Sequence, residues 1–276
     1  MNTQNAPRPI DALKSLVNAE STKDQLTNAL GSRQAADAFG AQLLTLATKD
    51  PNILQCNPID VIKVASEFAA LKMPISTSLG YAYIVPFGGR PSFILGYKGW
   101  IQLAERSGQY KTINADVVYE GEISHIDKLS GEIHFDGTRK SDNVVGYFAY
   151  FRLLNGTEKT LYSSVEDMAK FAKKYSKGIS KSTTVEQLVA LANTNVPSTR
   201  VGWEGDFNKM AIKTVIKHLL STYGVLSTDM QRQMESEAEA PTDTETQRAP
   251  QRQTINVDEL VVETEQTAAD TPQPEF

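Results

Sequence analysis

With 276 residues, 40% hydrophobic and 22% charged, the chain can bury a sizeable core in one domain or two small ones. No apolar run approaches the ~20 residues that span a bilayer, and the opening MNTQNAPRPIDALKS lacks the basic-then-apolar layout of a signal peptide. Cys56 stands alone, which excludes an internal disulfide and fits a reducing, cytoplasmic setting; with the scattered His125, His134 and His218 it gives no zinc spacing.

In chain order, residues 1–20 read as a flexible leader. Ser21 with Asp24 resembles a capping pair ahead of Leu26 and Leu30, and residues 33–48 place apolar side chains at helical intervals. Asn57-Pro58 has the form of an N-cap and first helical residue. The helix it opens carries Val61, Val64, Ala65 and Phe68 and ends before Pro74. Tyr81 to Phe87 and Ser92 to Leu95 read as strands joined at Gly88-Gly89, where positive φ angles permit a tight reversal. From Tyr97 the period becomes helical, with Trp100, Ile101, Leu103 and Ala104 on one stripe and Gly108 as the stop. Lys98, Arg106 and Lys111 lie off that stripe and Arg90 sits on the turn, so this hairpin and helix are edged with cations.

Residues 112–120 read as a strand, 122–136 as a hairpin turning at Ser130-Gly131, and Val144 to Leu154 as a long strand. Asn155-Gly156 turns it back into a short arm, Lys159 to Tyr162. Ser164 with Asp167 starts a helix, residues 184–193 form another, and a third runs from about Asp206 to Tyr223. The expected class is α+β, antiparallel hairpins and sheet packed with helices. A core domain over 21–234 precedes an acidic tail, 235–276, whose composition predicts disorder, with Ile255–Val257 and Leu260–Val262 as its apolar islands.

The net charge of −5 divides unevenly. Residues 226–276 hold 12 Asp/Glu and 3 Arg, leaving residues 1–225 at +4. Within 168–225 nine Lys/Arg face three acids, which points to an anionic partner. Lys209, Lys213 and Lys217 recur every fourth residue along the last helix, with Arg200 and Trp203 just before it. A solvated face explains such a column blandly, and phosphate contact explains it functionally.

Reaction chemistry is not visible. Neither GxxxxGK[ST] nor GxGxxG, GxSxG or HExxH occurs. Asp116, Glu120 and Glu122 on strand-like positions leave a metal-dependent nuclease as an alternative. A phage scaffolding protein whose basic helix serves assembly is another.

Three motifs in order carry a resemblance: SLGYAYIVPFG at 78–88, ILGYKGWIQLAERSGQY at 94–110 and WEGDFNKMAIKTVIKHLL at 203–220. With KDQL at 23–26 and the NPIDVIKVASEFAALKM helix before them, they make the chain similar to the RecT family of phage and prophage single-strand annealing proteins over about residues 20–225. The resemblance implies a non-catalytic homo-oligomer, ring or helical filament, that binds single-stranded DNA and pairs complementary strands in recombination. It implies no ATP, no cofactor and Mg2+ at most as a DNA counterion. Carried over residue by residue, it assigns DNA contact to Tyr97, Lys98 and Arg106 and to Trp203, Lys209, Lys213 and Lys217; the flanking cations Lys111 and Arg200 join them. Glu105 stands where a basic residue is common in the family, and Lys213-Thr214 where some members have paired arginines. A host single-strand-binding protein or a phage exonuclease is the expected partner of the tail.

Overall fold

The computed structural model describes residues 8–176, 178–194 and 202–239. The chain divides into two units, Met1–Thr246 and Gln247–Phe276, the second lying wholly outside the described residues. Five helices come first: α1 (Pro9–Asn18), α2 (Glu20–Leu30), α3 (Arg33–Lys49), the single turn α4 (Pro51–Leu54) and α5 (Pro58–Ala70). Ser32 opens α3 by accepting the Ala35 N–H at 3.1 Å. Asn57 opens α5 by accepting the Ile59 N–H at 2.9 Å, with Pro58 following in the first helical turn.

Two N-terminal expectations are corrected. The leader is helical from Pro9, because Leu13 and Val17 are buried where α1 packs against α3 and α5; residues 1–7 lie outside the described residues. Ser21 does not cap α2, which begins at Glu20 with Ala19 before it. Asp24 instead meets Arg33 at 3.2 Å.

The hairpin of β1 (Ala82–Phe87) and β2 (Arg90–Leu95) turns at Gly88 and Gly89, whose φ angles are 55° and 79°. Phe93 meets Phe68 of α5 edge-on at 4.7 Å, which fixes the hairpin to the helical layer. Helix α6 (Tyr97–Arg106) follows at once. A Cβ on Gly99 would sit 2.2 Å from the Tyr81 carbonyl oxygen, so helix and strand meet backbone to backbone there.

Next come β3 (Tyr110–Tyr119), a small hairpin of β4 (His125–Ile126) and β5 (Ile133–His134), then β6 (Val144–Leu153) and β7 (Glu158–Ser164). The order β3-β6-β7 makes an antiparallel sheet, and β7 outruns the expected short arm by pairing from Arg152↔Glu158 to Gly146↔Ser164. The side chains of Tyr147, Ala149 and Phe151 alternate into the core. Over the sheet lie α7 (Val165–Tyr175), capped by Ser164, and α9 (Phe207–Tyr223). Between them runs α8 (Val185–Ala192), opened by a Thr184/Gln187 capping box.

Tyr147 Oη donates to Asn208 Oδ1 at 2.6 Å and Asn208 Nδ2 donates to the Ala192 carbonyl at 3.0 Å, tying sheet, α9 and α8 together. Helix α10 (Thr228–Glu239) packs on α6 through buried Met230 and Gln233, so the expected tail is helical as far as Glu239. Residues 240–276 lie outside the described residues. The architecture is α+β, and no described helix is long and apolar enough to cross a membrane.

Candidate nucleic-acid interface

Strand β1 alternates: Ala82 and Ile84 are buried, whereas Tyr83, Val85 and Phe87 are half-buried on the other face. That second face forms one wall of a cleft of about 350 Å³. Tyr97, in the first turn of α6, continues the aromatic wall. The opposite side is the beginning of α9, with Asp206, Lys209 and Lys213. The spacing of four residues places both lysines on one stripe of the helix facing the cleft.

Asp206 is the N-cap of α9 and accepts the Lys209 N–H at 3.1 Å. Its Oδ2 also lies 2.5 Å from Lys209 Nζ, and this contact holds the ammonium above the usual lysine range. The Lys209 side chain remains 65% exposed, so it is open to a ligand in solution. Burial pushes the Tyr83 hydroxyl up, with the nearby Lys209 charge opposing it. Aromatic faces beside lysine ammoniums in one open groove can stack bases and neutralise phosphates together.

The residues singled out from sequence separate into distinct places. Tyr97, Lys209 and Lys213 converge on the cleft. Lys98 is exposed in the first turn of α6, beside Tyr97. Lys111 is exposed where β3 shifts register against β6 and is not among the cleft-lining residues. Arg200 lies outside the described residues.

Three side chains have structural surroundings that the sequence did not reveal. Trp203 is only 2% exposed and packs on Phe207 with ring centroids 5.2 Å apart. Lys217 is also 2% exposed, with its Nζ 5.4 Å from the centre of the buried Trp100 ring. The lysine column is therefore not one exposed face: its third member turns into the core. Arg106 donates to the Leu71 carbonyl at 2.6 Å and the Lys72 carbonyl at 3.1 Å, closing the end of α5. Arg106→Ala is expected to lower stability by about 1.5–3 kcal/mol, the worth of a charge-assisted hydrogen bond, and to leave single-strand affinity unchanged. Thermal melting and a binding titration on the same preparation check both parts.

Among the described residues, other cations of 168–225 have local partners. Lys170 pairs with Glu166 at 2.6 Å, and Lys173 donates to the Ser180 and Lys181 carbonyls, each at 2.9 Å. The three acids weighed as a metal site also have local work. Asp116 accepts the Val117 N–H at 2.8 Å and Glu122 accepts the Tyr119 N–H at 2.8 Å. Glu120 accepts the Ser141 hydroxyl at 2.7 Å. These bonds close the edge of β3 and the base of the β4–β5 hairpin. Among the described residues no group of three or more potential ligands is arranged to hold a metal.

From sequence, Tyr83 and Phe87 count among the aromatics able to stack on bases but are not assigned to the site, and Asp206 is left out. The first two carried a usable signal, the alternation of β1; Asp206 carried one in its position ahead of the lysines. An α+β core presenting a cleft of aromatics edged by lysines has the composition of a nucleic-acid-binding protein. The chain matches the RecT family over residues 37–253 and belongs to that family, a family of recombination proteins. It is 40% identical over 228 residues to YqaK of Bacillus subtilis strain 168, described as an uncharacterized protein, covering 82% of this chain and 72% of that one. It is 28% identical over 240 residues to protein RecT of Escherichia coli K12, covering 82% of this chain and 80% of that one.

Proposed function

We propose that the protein binds single-stranded DNA in the β1–β2/α9 cleft and anneals complementary strands without ATP, acting as a homo-oligomer. The observation that carries this reading is the convergence of Tyr83, Phe87 and Tyr97 with Lys209 and Lys213 on one open cleft in a member of the RecT family. Lysine ammoniums release counterions from phosphates, which gives affinity without sequence preference. Aromatic faces stack on any base, so the strand is held extended. Neutralised backbones no longer repel a second strand, and each correct stacked step then supplies about 1.4 kcal/mol. No chemical fuel is required, in keeping with a sequence that has no GxxxxGK[ST] loop. Mg2+ enters at most as a DNA counterion. Clefts of adjacent subunits join into one track, in a ring or a filament. The acidic segment beyond α10 serves a protein partner, a host single-strand-binding protein or a phage exonuclease, in the cytoplasm.

Two complementary oligonucleotides, one carrying a fluorophore and the other a quencher, test the proposal in buffer free of ATP. Pairing well above the spontaneous rate is the expected outcome. Pairing at the spontaneous rate, or shortened strands when magnesium is added, overturns it.

A further inference from the structure

Among the described residues that line the cleft, Asp206 carries the one carboxylate, and it stands within 2.5 Å of the ammonium of Lys209. A polyanion entering there meets a like charge that already occupies Lys209. The neighbouring Glu204 is engaged elsewhere, accepting the Thr183 hydroxyl at 2.7 Å. Capping α9 does not account for the charge, since asparagine and serine cap helices about as well as aspartate.

We propose that Asp206 is an electrostatic brake on the cleft: it holds Lys209 in the empty state and is exchanged for a phosphate when a strand enters. The inference rests on the cleft being the DNA site. Two consequences follow from the geometry. A phosphate that binds Lys209 must displace an internal anion from it, so net affinity is lower than it would be without that carboxylate. The carboxylate also stays beside the bound phosphate and recaptures Lys209 when the strand lifts, which keeps the strand exchangeable while pairing is tested.

The experiment measures binding of a labelled oligothymidylate by the full chain across a salt series, together with thermal melting. Asp206→Asn keeps the cap and removes the charge. It is expected to tighten binding about 3- to 10-fold, because a repulsive charge near the phosphate is lost and Lys209 is freed. It should also steepen the salt dependence by up to ~0.7 in log–log slope, the increment for one more phosphate contact on a single strand. Dissociation should slow in proportion. Asp206→Ser, a second neutral cap, repeats the test if the asparagine variant melts early. Lys213→Ala serves as the reference for the cleft. Neutral caps that leave affinity unchanged or weaken it, while Lys213→Ala weakens it, overturn the brake and leave the cleft standing. No change from any of these variants overturns the cleft itself and the brake with it.

Discussion

Replacing Lys209 and Lys213 together by alanine is expected to weaken single-strand binding about 10- to 100-fold at physiological ionic strength and to lower the log–log salt slope by ~1.4, two phosphate contacts' worth. Both side chains reach the cleft from the same stripe of α9, where Lys209 is exposed and Lys213 half-buried. Neither is fully buried, so the apolar face of α9 (Phe207, Ala211, Val215 and Leu219) should pack as before. An unchanged circular dichroism spectrum with lost affinity is therefore the expected pair of results. Retained affinity and an unchanged salt slope would move the DNA to another surface.

Lys217 is expected to behave oppositely, although it continues the same column. Lys217→Ala removes a long stem from a position that is 2% exposed and opens a space under Trp100. Burial losses of that size run to about 2–4 kcal/mol, comparable to truncating a buried methionine. For a domain of this length the melting temperature should fall by roughly 5–15 °C, at about 2–4 °C per kcal/mol. Lys217→Met, which keeps the stem, should restore part of the loss. Intrinsic affinity per folded molecule is expected to stay close to that of the parent protein. A Lys217→Ala protein that melts normally and binds DNA poorly would show that this ammonium reaches the cleft. A triple alanine variant at 209, 213 and 217 thus mixes two effects, lost contact and lost stability, and the three sites are better tested apart.

The contrast between these lysines shows how far the chain could be read directly. Local chemistry is written in neighbouring residues, and most of those readings agree with the structure: Asn57-Pro58 opens a helix, Gly88-Gly89 reverses a strand, and Ser164 caps α7, whereas Ser21 does not cap α2. The α+β class followed from the same signals, because turns and periods depend on residues a few positions apart. Family motifs also sit in contiguous stretches, and the match over 37–253 spans those at 78–88, 94–110 and 203–220 but not KDQL at 23–26.

Exposure of individual side chains obeys a different rule. A spacing of four puts Lys209, Lys213 and Lys217 near one stripe, but α9 is long and meets different neighbours along its length. Its first turns border the open cleft beside Tyr83 and Tyr97, and its later turns run beneath α6, where Trp100 covers Lys217. Arg106 likewise finds its carbonyl partners 34 and 35 residues earlier in the chain. Leu13 and Val17 turn an apparent leader into a helix only because α3 and α5 come back to bury them. Helix and strand tendencies arise among near neighbours and could be read along the chain. Which faces meet water, and which cation is left to meet a phosphate, depends on contacts between segments far apart, and those exist only once the chain has folded.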